Sequence, residues 1–150
     1  MSIKEKLTSD LKESLKSGDK AKLSVVRMLL SSIKNKEIDK RGELSEDEGL
    51  DVLSHAAKLR RESIEEFAKG GREDLVQKEK EELKVVENYL PEQLSEDKLK
   101  EIAKLAILEV SATSAKDIGK VMKILMPRLK GKADGKIVNK IVQQALESQG

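Results

Sequence analysis

The sequence predicts an all-α protein, made of an N-terminal bundle of about four helices and a compact C-terminal domain of three helices. Apolar residues recur at steps of three and four along most of the chain, which is the spacing of one face of an α-helix. Charged residues make up 39% of the 150 residues and proline occurs only twice. Both values are typical of exposed helices. We therefore expect no β-sheet.

The first two predicted helices are joined by a glycine turn. The first should run from about Ser2 to Lys16, because isoleucine and leucine repeat every four residues there and Gly18 follows as a stop. Asp19 can cap the second helix, whose broad apolar surface should make it the most buried helix of the N-terminal part. Within that apolar run stands one arginine, Arg27, and we expect it to pair with an acidic residue or to mark a partner site.

The next two predicted helices are strongly charged. Ser45 and Glu48 have the spacing of a capping box, and they should begin the third helix, which ends at the glycine pair 70–71. The fourth helix should span about Glu73 to Leu90. Its apolar stripe is narrow, so we expect it at the periphery of the bundle.

A polar connector is predicted at residues 91–97. Pro91 should end the fourth helix, because proline disfavours helical geometry in the residue before it. Ser95 is a candidate cap for the fifth helix, which has the cleanest apolar stripe of the chain. We accordingly divide the chain into an N-terminal domain at residues 1–90 and a C-terminal domain at residues 98–150.

The C-terminal domain should consist of the fifth helix followed by a helical hairpin. A side-chain oxygen of Thr113 or Ser114 should cap the first helix of the hairpin, with Asp117 placed to meet the positive end of that helix. At Pro127 this helix either ends or kinks and carries Leu129 one turn further, and we favour the kink. Asp134 should cap the final helix, and Gly131 should supply the bend before it.

The net charge of +2 hides an uneven distribution. Residues 1–42 carry 11 basic and 6 acidic groups, residues 43–97 carry 8 and 17, residues 98–115 carry 3 and 2, and residues 116–150 carry 8 and 3. The four segments therefore have net charges of +5, −9, +1 and +5. A basic segment attracts polyanions, whereas the acidic middle can pair with a basic partner or with the basic ends of the same chain.

The sequence predicts neither a catalytic site nor a metal site. His55 is the only histidine and cysteine is absent, so a metal site or a Ser/His/Asp triad lacks the residues that it needs. The many glutamates stand at spacings typical of the solvated face of a charged helix. We expect no cofactor.

Two further features bear on location. No apolar run approaches the roughly 20 residues that a membrane span needs, so we expect no membrane segment. The absence of cysteine fits a reducing compartment, and residues 1–15 contain no continuous apolar stretch. On these grounds we expect a cytoplasmic protein.

Seven cations surround the predicted hairpin and make it a candidate RNA-binding surface. They are Lys120, Lys123, Arg128, Lys130, Lys132, Lys136 and Lys140. Free amides at the start of the last helix would add to them, and such a combination can hold phosphates. Because no aromatic residue lies in this segment, we expect contacts with the RNA backbone and its shape, without base stacking. The alternative is that these lysines only solubilise the outer face.

The last third of the chain resembles a known family. Residues 119–123, 131–134 and 138–139 are similar to the C-terminal tail of the B subunit of glutamine-dependent tRNA amidotransferases. With residues 89–91 ahead of them, the whole chain resembles the small stand-alone GatB/YqeY family. The positions that carry this resemblance are Tyr89, Pro91, Gly119, Val121, Met122, Pro127, Gly131, Asp134 and Gly135. A second basic cluster, similar to a motif of the family's N-terminal part, consists of Lys58, Arg60 and Arg61.

The resemblance implies contact with tRNA or with a complex related to the amidotransferase. The family label also implies a carbon–nitrogen ligase with glutamine as amide donor, but the glutaminase and ATP-dependent sites belong to other parts of the amidotransferase. The chain departs from the tail at the hairpin tip, where the segment after Met122 is longer and Asp134 stands in place of an asparagine. The alternative is a protein adaptor without an RNA role, which docks through the acidic third and fourth helices.

Overall fold

The structure is a computed structural model that describes residues 2–149. These residues form seven α-helices and one short 3₁₀-helix, and no strand occurs among them, so the all-α prediction is confirmed. In chain order the α-helices are α1 (Ile3–Ser17), α2 (Lys20–Lys40), α3 (Glu46–Lys69), α4 (Glu73–Glu87), α5 (Glu96–Glu109), α6 (Ile118–Arg128) and α7 (Gly135–Gln149).

The contacts within the chain divide it into two compact units, Met1–Pro91 and Glu92–Gly150. The first unit contains α1 to α4 and the second contains α5 to α7. The division into domains at residues 1–90 and 98–150 stays a prediction, which expression of residues 92–150 alone would test.

The core of the first unit joins all four of its helices. Its fully buried apolar side chains are Leu7 on α1, Val25, Val26 and Leu29 on α2, Leu53 and Ala57 on α3, and Val86 on α4. Burying one leucine or valine contributes about 1.5 to 3 kcal/mol relative to leaving it exposed. The second helix supplies three of these seven side chains, as its broad apolar surface predicts.

The fourth helix differs from its prediction in two respects. It ends at Glu87 and not at Leu90, since the N–H groups of Tyr89 and Leu90 donate to carbonyls three residues back, at 3.0 and 3.1 Å. Pro91 disfavours helical geometry at the residue before it, which explains the early end. The helix is also not peripheral, because it packs against both α2 and α3 and its Val86 is completely buried.

Side-chain caps fix the starts of three helices as predicted. Asp19 and Ser95 each accept a hydrogen bond from a backbone N–H three residues ahead, at 3.1 and 3.2 Å. At α3 the capping box is complete, since the N–H of Glu48 donates to Ser45 Oγ at 3.2 Å and the N–H of Ser45 donates to Glu48 Oε1 at 3.0 Å. A hydrogen bond from Lys40, together with those from Ser45, lowers the pKa of the Glu48 carboxyl to about 2.

The core of the second unit joins α5, α6 and α7 through aliphatic side chains. Those exposed by 1% or less are Ala103, Ala106 and Ile107 on α5, Val121 and Leu125 on α6, and Val142 and Leu146 on α7. The two aromatic residues of the chain, Phe67 and Tyr89, both belong to the first unit. The second unit therefore packs without any aromatic ring.

The start of α6 differs from its prediction. A 3₁₀ turn, Ala115–Asp117, precedes the helix, and Ser114 makes no side-chain cap bond. The Asp117 carboxylate points back along the chain and accepts the backbone N–H of Thr113 at 2.9 Å. This bond lowers the pKa of Asp117. The carboxylate thus closes the turn before α6 and does not cap the helix itself.

The proline of α6 lies one residue before the end of the helix. The helix continues through Pro127 and ends at Arg128, so the predicted further turn is absent. The N–H of Leu129 still donates to the carbonyl of Leu125 at 3.0 Å. Leu129 thereby remains in the core, at 4% exposure.

Candidate nucleic-acid interface

The hairpin of α6 and α7 is held together by its apolar faces. Val121 and Leu125 of α6, and Val138 and Val142 of α7, are each at most 2% exposed, and the two helices are in contact. Residues three and four apart lie on the same side of a helix, so the intervening polar residues face the opposite side. The packing of the hairpin therefore displays its cations on the outer surface.

Hydrogen bonds fix the bend between the two helices. Gly131 has φ +75°, in the left-handed region that glycine adopts without steric cost. The N–H of Lys132 donates to the carbonyl of Leu129 at 2.9 Å. From the segment before α5, the side-chain amide of Gln93 donates to the Gly131 carbonyl at 2.7 Å, and the N–H of Leu94 donates to the Lys132 carbonyl at 2.9 Å. The bend is thus anchored to a second segment of the chain.

The sequence did not predict this anchoring. Residues 91–97 were expected to form a plain polar connector, whereas residues 93 and 94 bind the bend. Leu94 also packs against the core of the second unit. The one indication in the sequence is Leu94, an apolar residue inside a polar connector. Its presence does not show which segment of the chain the connector contacts.

Asp134 caps α7 as predicted. Its Oδ1 accepts the N–H of Lys136 at 3.1 Å, and its carbonyl accepts the N–H of Val138 at 3.0 Å. The expectation of free amides at this helix start is wrong for Lys136, because the Asp134 carboxylate already occupies that donor. A Cβ at Gly135 would lie 3.1 Å from Met126 Cε, the flexible end of an exposed side chain, so a small shift of that methionine would make room for it.

Three of the seven candidate cations are exposed and form no ion pair with any residue in the range 2–149. They are Lys123 on α6, Lys132 in the bend and Lys140 on α7. Lys136 is also exposed and Lys130 is half-buried, and both interact with other groups of the chain. The first three lysines are therefore the cations best placed to bind an external anion.

The two remaining cations are paired with carboxylates. Arg128 donates two hydrogen bonds of 2.8 Å to Glu109 of α5. This pair lowers the pKa of the Glu109 carboxyl and raises that of the Arg128 guanidinium. Lys120 Nζ lies 3.9 Å from Asp117 Oδ1. The basic surface is consequently smaller than the seven cations of the sequence indicate.

The second basic cluster does not form one surface. Lys58 is exposed, whereas Arg60 is only 9% exposed and its Nε lies 3.6 Å from Glu82 Oε2. Arg61 lies 3.5 Å from Glu87 Oε1. Successive residues of a helix are about 100° apart, so neighbouring side chains point in different directions. Both arginines hold α3 against α4.

Several positions that carry the family resemblance have packing roles. Val121 is completely buried, and Met122 packs against the same core. Gly119 is exposed, and a Cβ there would meet nothing within 4 Å, so space does not require a glycine at this position. Tyr89 and Pro91 lie in the first unit, where the Tyr89 hydroxyl donates to a carboxylate of α1.

The other residues singled out from the sequence lie at the surface. Arg27 and His55 are exposed. Arg27 forms no ion pair within residues 2–149, so the predicted pairing is wrong and the alternative of a partner site remains. No group of three or more histidine or carboxylate side chains that could hold a metal ion occurs in the described part of the chain. None of the helices described here is long and apolar enough to cross a membrane.

Comparison with known proteins identifies similar sequences along most of the chain. The model of a protein family described as Yqey-like protein matches residues 4–146. Relatives named "Altered inheritance of mitochondria protein 41, mitochondrial" match as well. The relative from Eremothecium gossypii is 44% identical over 85 residues, which is 56% of this chain and 46% of the relative. The relative from Saccharomyces cerevisiae strain YJM789 is 32% identical over 133 residues, which is 88% of this chain and 63% of the relative. Each match thus spans less than two thirds of the relative.

The names of these relatives contradict the cytoplasmic location predicted from the sequence. Both are named as mitochondrial proteins. The prediction rested on the absence of cysteine and on the composition of residues 1–15, and neither property identifies a compartment.

Proposed function

Because the chain belongs to the YqeY-like protein family, we propose that it is a non-catalytic helical protein whose C-terminal hairpin binds the backbone of a tRNA-like RNA. The observation that carries this proposal is the group of exposed lysines around the hydrogen-bonded bend, namely Lys123, Lys132 and Lys140. The resemblance to the amidotransferase tail suggests tRNA as the RNA. The charge and geometry of the hairpin support a contact with phosphates.

Electrostatics favours a polyanion at this surface. Residues 116–150 carry 8 basic and 3 acidic groups, a net charge of +5. A polyanion that binds lysines releases its condensed counterions, and this release makes the affinity strongly dependent on salt. Because the second unit has no aromatic residue, it cannot recognise the bases of an RNA by aromatic stacking. The expected ligand feature is therefore the phosphate backbone.

The anchored bend lowers the cost of binding. Association loses free energy whenever a loop must become ordered at the interface. Here Lys132 lies in a bend whose neighbouring carbonyls already accept hydrogen bonds from Gln93 and Leu94. The backbone that presents this lysine is thus ordered before any ligand arrives.

Arg128 can join the surface by exchanging its partner. A guanidinium binds carboxylate and phosphate with the same two-pronged geometry. Both Arg128 and Glu109 have about half of their side-chain surface exposed, at 55% and 51%, so a phosphate can reach the arginine. We expect Glu109→Gln to strengthen RNA binding by less than about fivefold, since exposed ion pairs are weak.

A matched pair of triple variants tests the proposal. The hairpin variant is Lys123→Gln, Lys132→Gln, Lys140→Gln, and the control variant removes the same charge from α5 with Lys98→Gln, Lys100→Gln, Lys104→Gln. The affinity for bulk tRNA is measured against salt concentration. The hairpin variant should lower the slope of log affinity against log salt by about two to three, and the control should change it much less. Absence of any association between the unchanged protein and bulk tRNA at low salt would refute the proposal.

A protein adaptor is the second candidate function. Residues 43–97 have a net charge of −9, and within this acidic segment Leu59 of α3 is 47% exposed. A segment of net negative charge attracts a basic protein partner and repels RNA, and an exposed leucine can pack in such an interface. A protein that remains bound after nuclease treatment, and that Leu59→Glu releases, would favour this candidate.

A further inference from the structure

The outer face of α2 carries alternating cations and hydroxyls. Lys20, Ser24, Arg27, Ser31 and Lys34 follow one another at steps of four, three, four and three residues, so they lie in one row along the helix. All five residues are exposed. We refer to these five residues as the α2 row.

The charge of the α2 row is not compensated within the described structure. Its three cations form no ion pair or side-chain hydrogen bond with another residue in the range 2–149. Of the two carboxylates in α2, Glu37 is engaged by Lys4 of α1 at 2.8 Å. The other, Asp39, lies five positions after Lys34, which places it about 140° around the helix from that lysine. Glu37 is the i+3 neighbour of Lys34, but it is held by Lys4, so none of the three cations of the row is paired with a carboxylate among residues 2–149.

The α2 row has the dimensions and the rigidity of a backbone-binding surface. Its cations are seven residues apart, which corresponds to about 10 Å along a helix. The serine hydroxyls between them can donate hydrogen bonds to phosphate oxygens or pair with the 2′-hydroxyl of RNA. On its opposite side α2 buries four apolar side chains, so the helix that carries the row is firmly held.

We propose that the α2 row is a second contact surface for the backbone of the RNA that the hairpin binds. The proposal rests on the function proposed for the hairpin, and it assigns to Arg27 the partner site that its exposure leaves open. A phosphate backbone complements a row of cations with interspersed hydroxyls. A lipid surface fits less well, because a single exposed apolar side chain, Ile38, continues the row one turn after Lys34, and membrane-surface helices carry a broad apolar face.

Two triple variants of the full chain test the proposal, and both remove the same charge from the first unit. The row variant is Lys20→Gln, Arg27→Gln, Lys34→Gln, and the control variant, on α4, is Lys78→Gln, Lys80→Gln, Lys84→Gln. Binding of bulk tRNA is titrated against salt for both variants and for the hairpin variant described above. The row variant should lower the slope by about two to three, because three phosphate contacts are lost. The control should keep the slope of the unchanged protein.

The outcomes separate this proposal from the function on which it rests. If the hairpin variant lowers the slope while the row variant behaves like its control, the α2 row is not an RNA contact and the hairpin function stands. If the unchanged protein does not bind tRNA at low salt, both proposals fail. If circular dichroism shows the same helicity for the variant and the unchanged protein, unfolding is excluded as the cause of a lost tRNA affinity. The single variant Arg27→Glu provides a second test that alters only one side chain.

The same variants test whether the α2 row binds a membrane surface. Sedimentation with vesicles of phosphatidylcholine and phosphatidylglycerol measures lipid binding directly. If the row variant loses vesicle binding but retains the tRNA affinity of its control, the row binds anionic lipid and the RNA proposal is overturned. If neither the unchanged protein nor the row variant sediments with vesicles, and the row variant shows the lowered salt slope with tRNA, the assignment to RNA is supported.

Discussion

The two units of the molecule use their charged residues differently. In the first unit some polar links between helices are partly or largely buried, as in the pair of Arg60 and Glu82 and the hydrogen bond from Tyr89 to Asp10. In the second unit an aliphatic core joins the helices, and the ion pairs lie at the surface. Arg60 of the first unit is thus structural, whereas the paired arginine of the second unit, Arg128, is accessible to a ligand.

Burial explains why the two kinds of ion pair behave differently. Removing charges from water is costly, so a buried pair must keep both partners, and losing one leaves an uncompensated charge inside the protein. An exposed pair contributes little to stability, and its members can exchange partners. A basic cluster in a sequence therefore has functional meaning only if the fold leaves it at the surface.

The largest expected effect follows from breaking the buried pair of the first unit. Glu82→Ala should lower the free energy of unfolding by about 3 kcal/mol, because it leaves the Arg60 guanidinium buried without its carboxylate. The Nε of Arg60 already lacks a hydrogen-bond partner. Urea unfolding followed by tyrosine fluorescence is a suitable measurement, since Tyr89 is the only tyrosine and tryptophan is absent.

A double variant provides the control for this experiment. Arg60→Met together with Glu82→Leu removes both charges and should recover most of the stability lost in the single variant, because two apolar side chains can pack where the pair was. A cost below about 1 kcal/mol for Glu82→Ala alone would show that water reaches the arginine and that the pair behaves like a surface pair.

The second expected effect concerns the bend of the second unit. Gly131→Ala should lower the free energy of unfolding by about 1 to 2 kcal/mol, since an alanine resists the left-handed conformation with φ +75°. Gly119→Ala is the matched control, because it lies in α6 with open space around its Cβ and should stabilise the helix by up to about 1 kcal/mol. Thermal unfolding monitored by circular dichroism distinguishes the two variants. Equal effects of both would contradict the conformational argument.

The third expected effect is a pH dependence confined to the first unit. Burial, and after it the hydrogen bond to Asp10, raises the pKa of the Tyr89 hydroxyl above its ordinary value, which is about 10. A group whose pKa is higher in the folded state stabilises the protein below its unfolded pKa and loses this contribution as the pH rises through the folded pKa. The stability of the first unit should therefore fall above about pH 10.

Tyr89→Phe tests this pH dependence. The variant should cost about 1 kcal/mol at neutral pH, the value of one hydrogen bond, and it should remove the part of the alkaline loss that this hydroxyl causes. Urea unfolding by circular dichroism at several pH values measures both effects. An ordinary titration of Tyr89, followed by tyrosinate absorbance of the unchanged protein, would contradict the environment described for this hydroxyl.

The sequence predicted those parts of the fold whose information is local. Most helix starts are examples, because Ser45 and Glu48 are only three residues apart and their bonds depend on nothing distant. The start of α6, where Ser114 forms no cap bond, is an exception. The anchoring of the bend was missed, since Gln93 and Gly131 are separated by 38 positions. The burial of Arg60 was missed for the same reason, because only the packing of α3 on α4 brings Glu82 to it.

The candidate surface stays a prediction, and the structure shows only which of its cations are exposed and which are paired. Lys123, Lys132 and Lys140 are exposed on the hairpin, where the sequence put the basic surface. The pairing of Arg128 with Glu109 depends on the contact between α5 and α6, which periodicity does not specify. The α2 row is local information as well, since its five residues follow helical spacing in the sequence. Polar residues at helical spacing indicate the exposed face of a helix, just as apolar residues at the same spacing indicate its buried face.

The anchored bend also bears on how proteases act on this protein. A lysine-rich bend offers trypsin a suitable residue for its specificity pocket, and exposed loop tips are the usual places of first cleavage. The enzyme must, however, draw its substrate into an extended strand. The carbonyls of Gly131 and Lys132 are already engaged by Gln93 and Leu94, and the glycine is left-handed. The peptide bond after Lys132 is therefore protected by backbone geometry for as long as residues 93 and 94 stay in place.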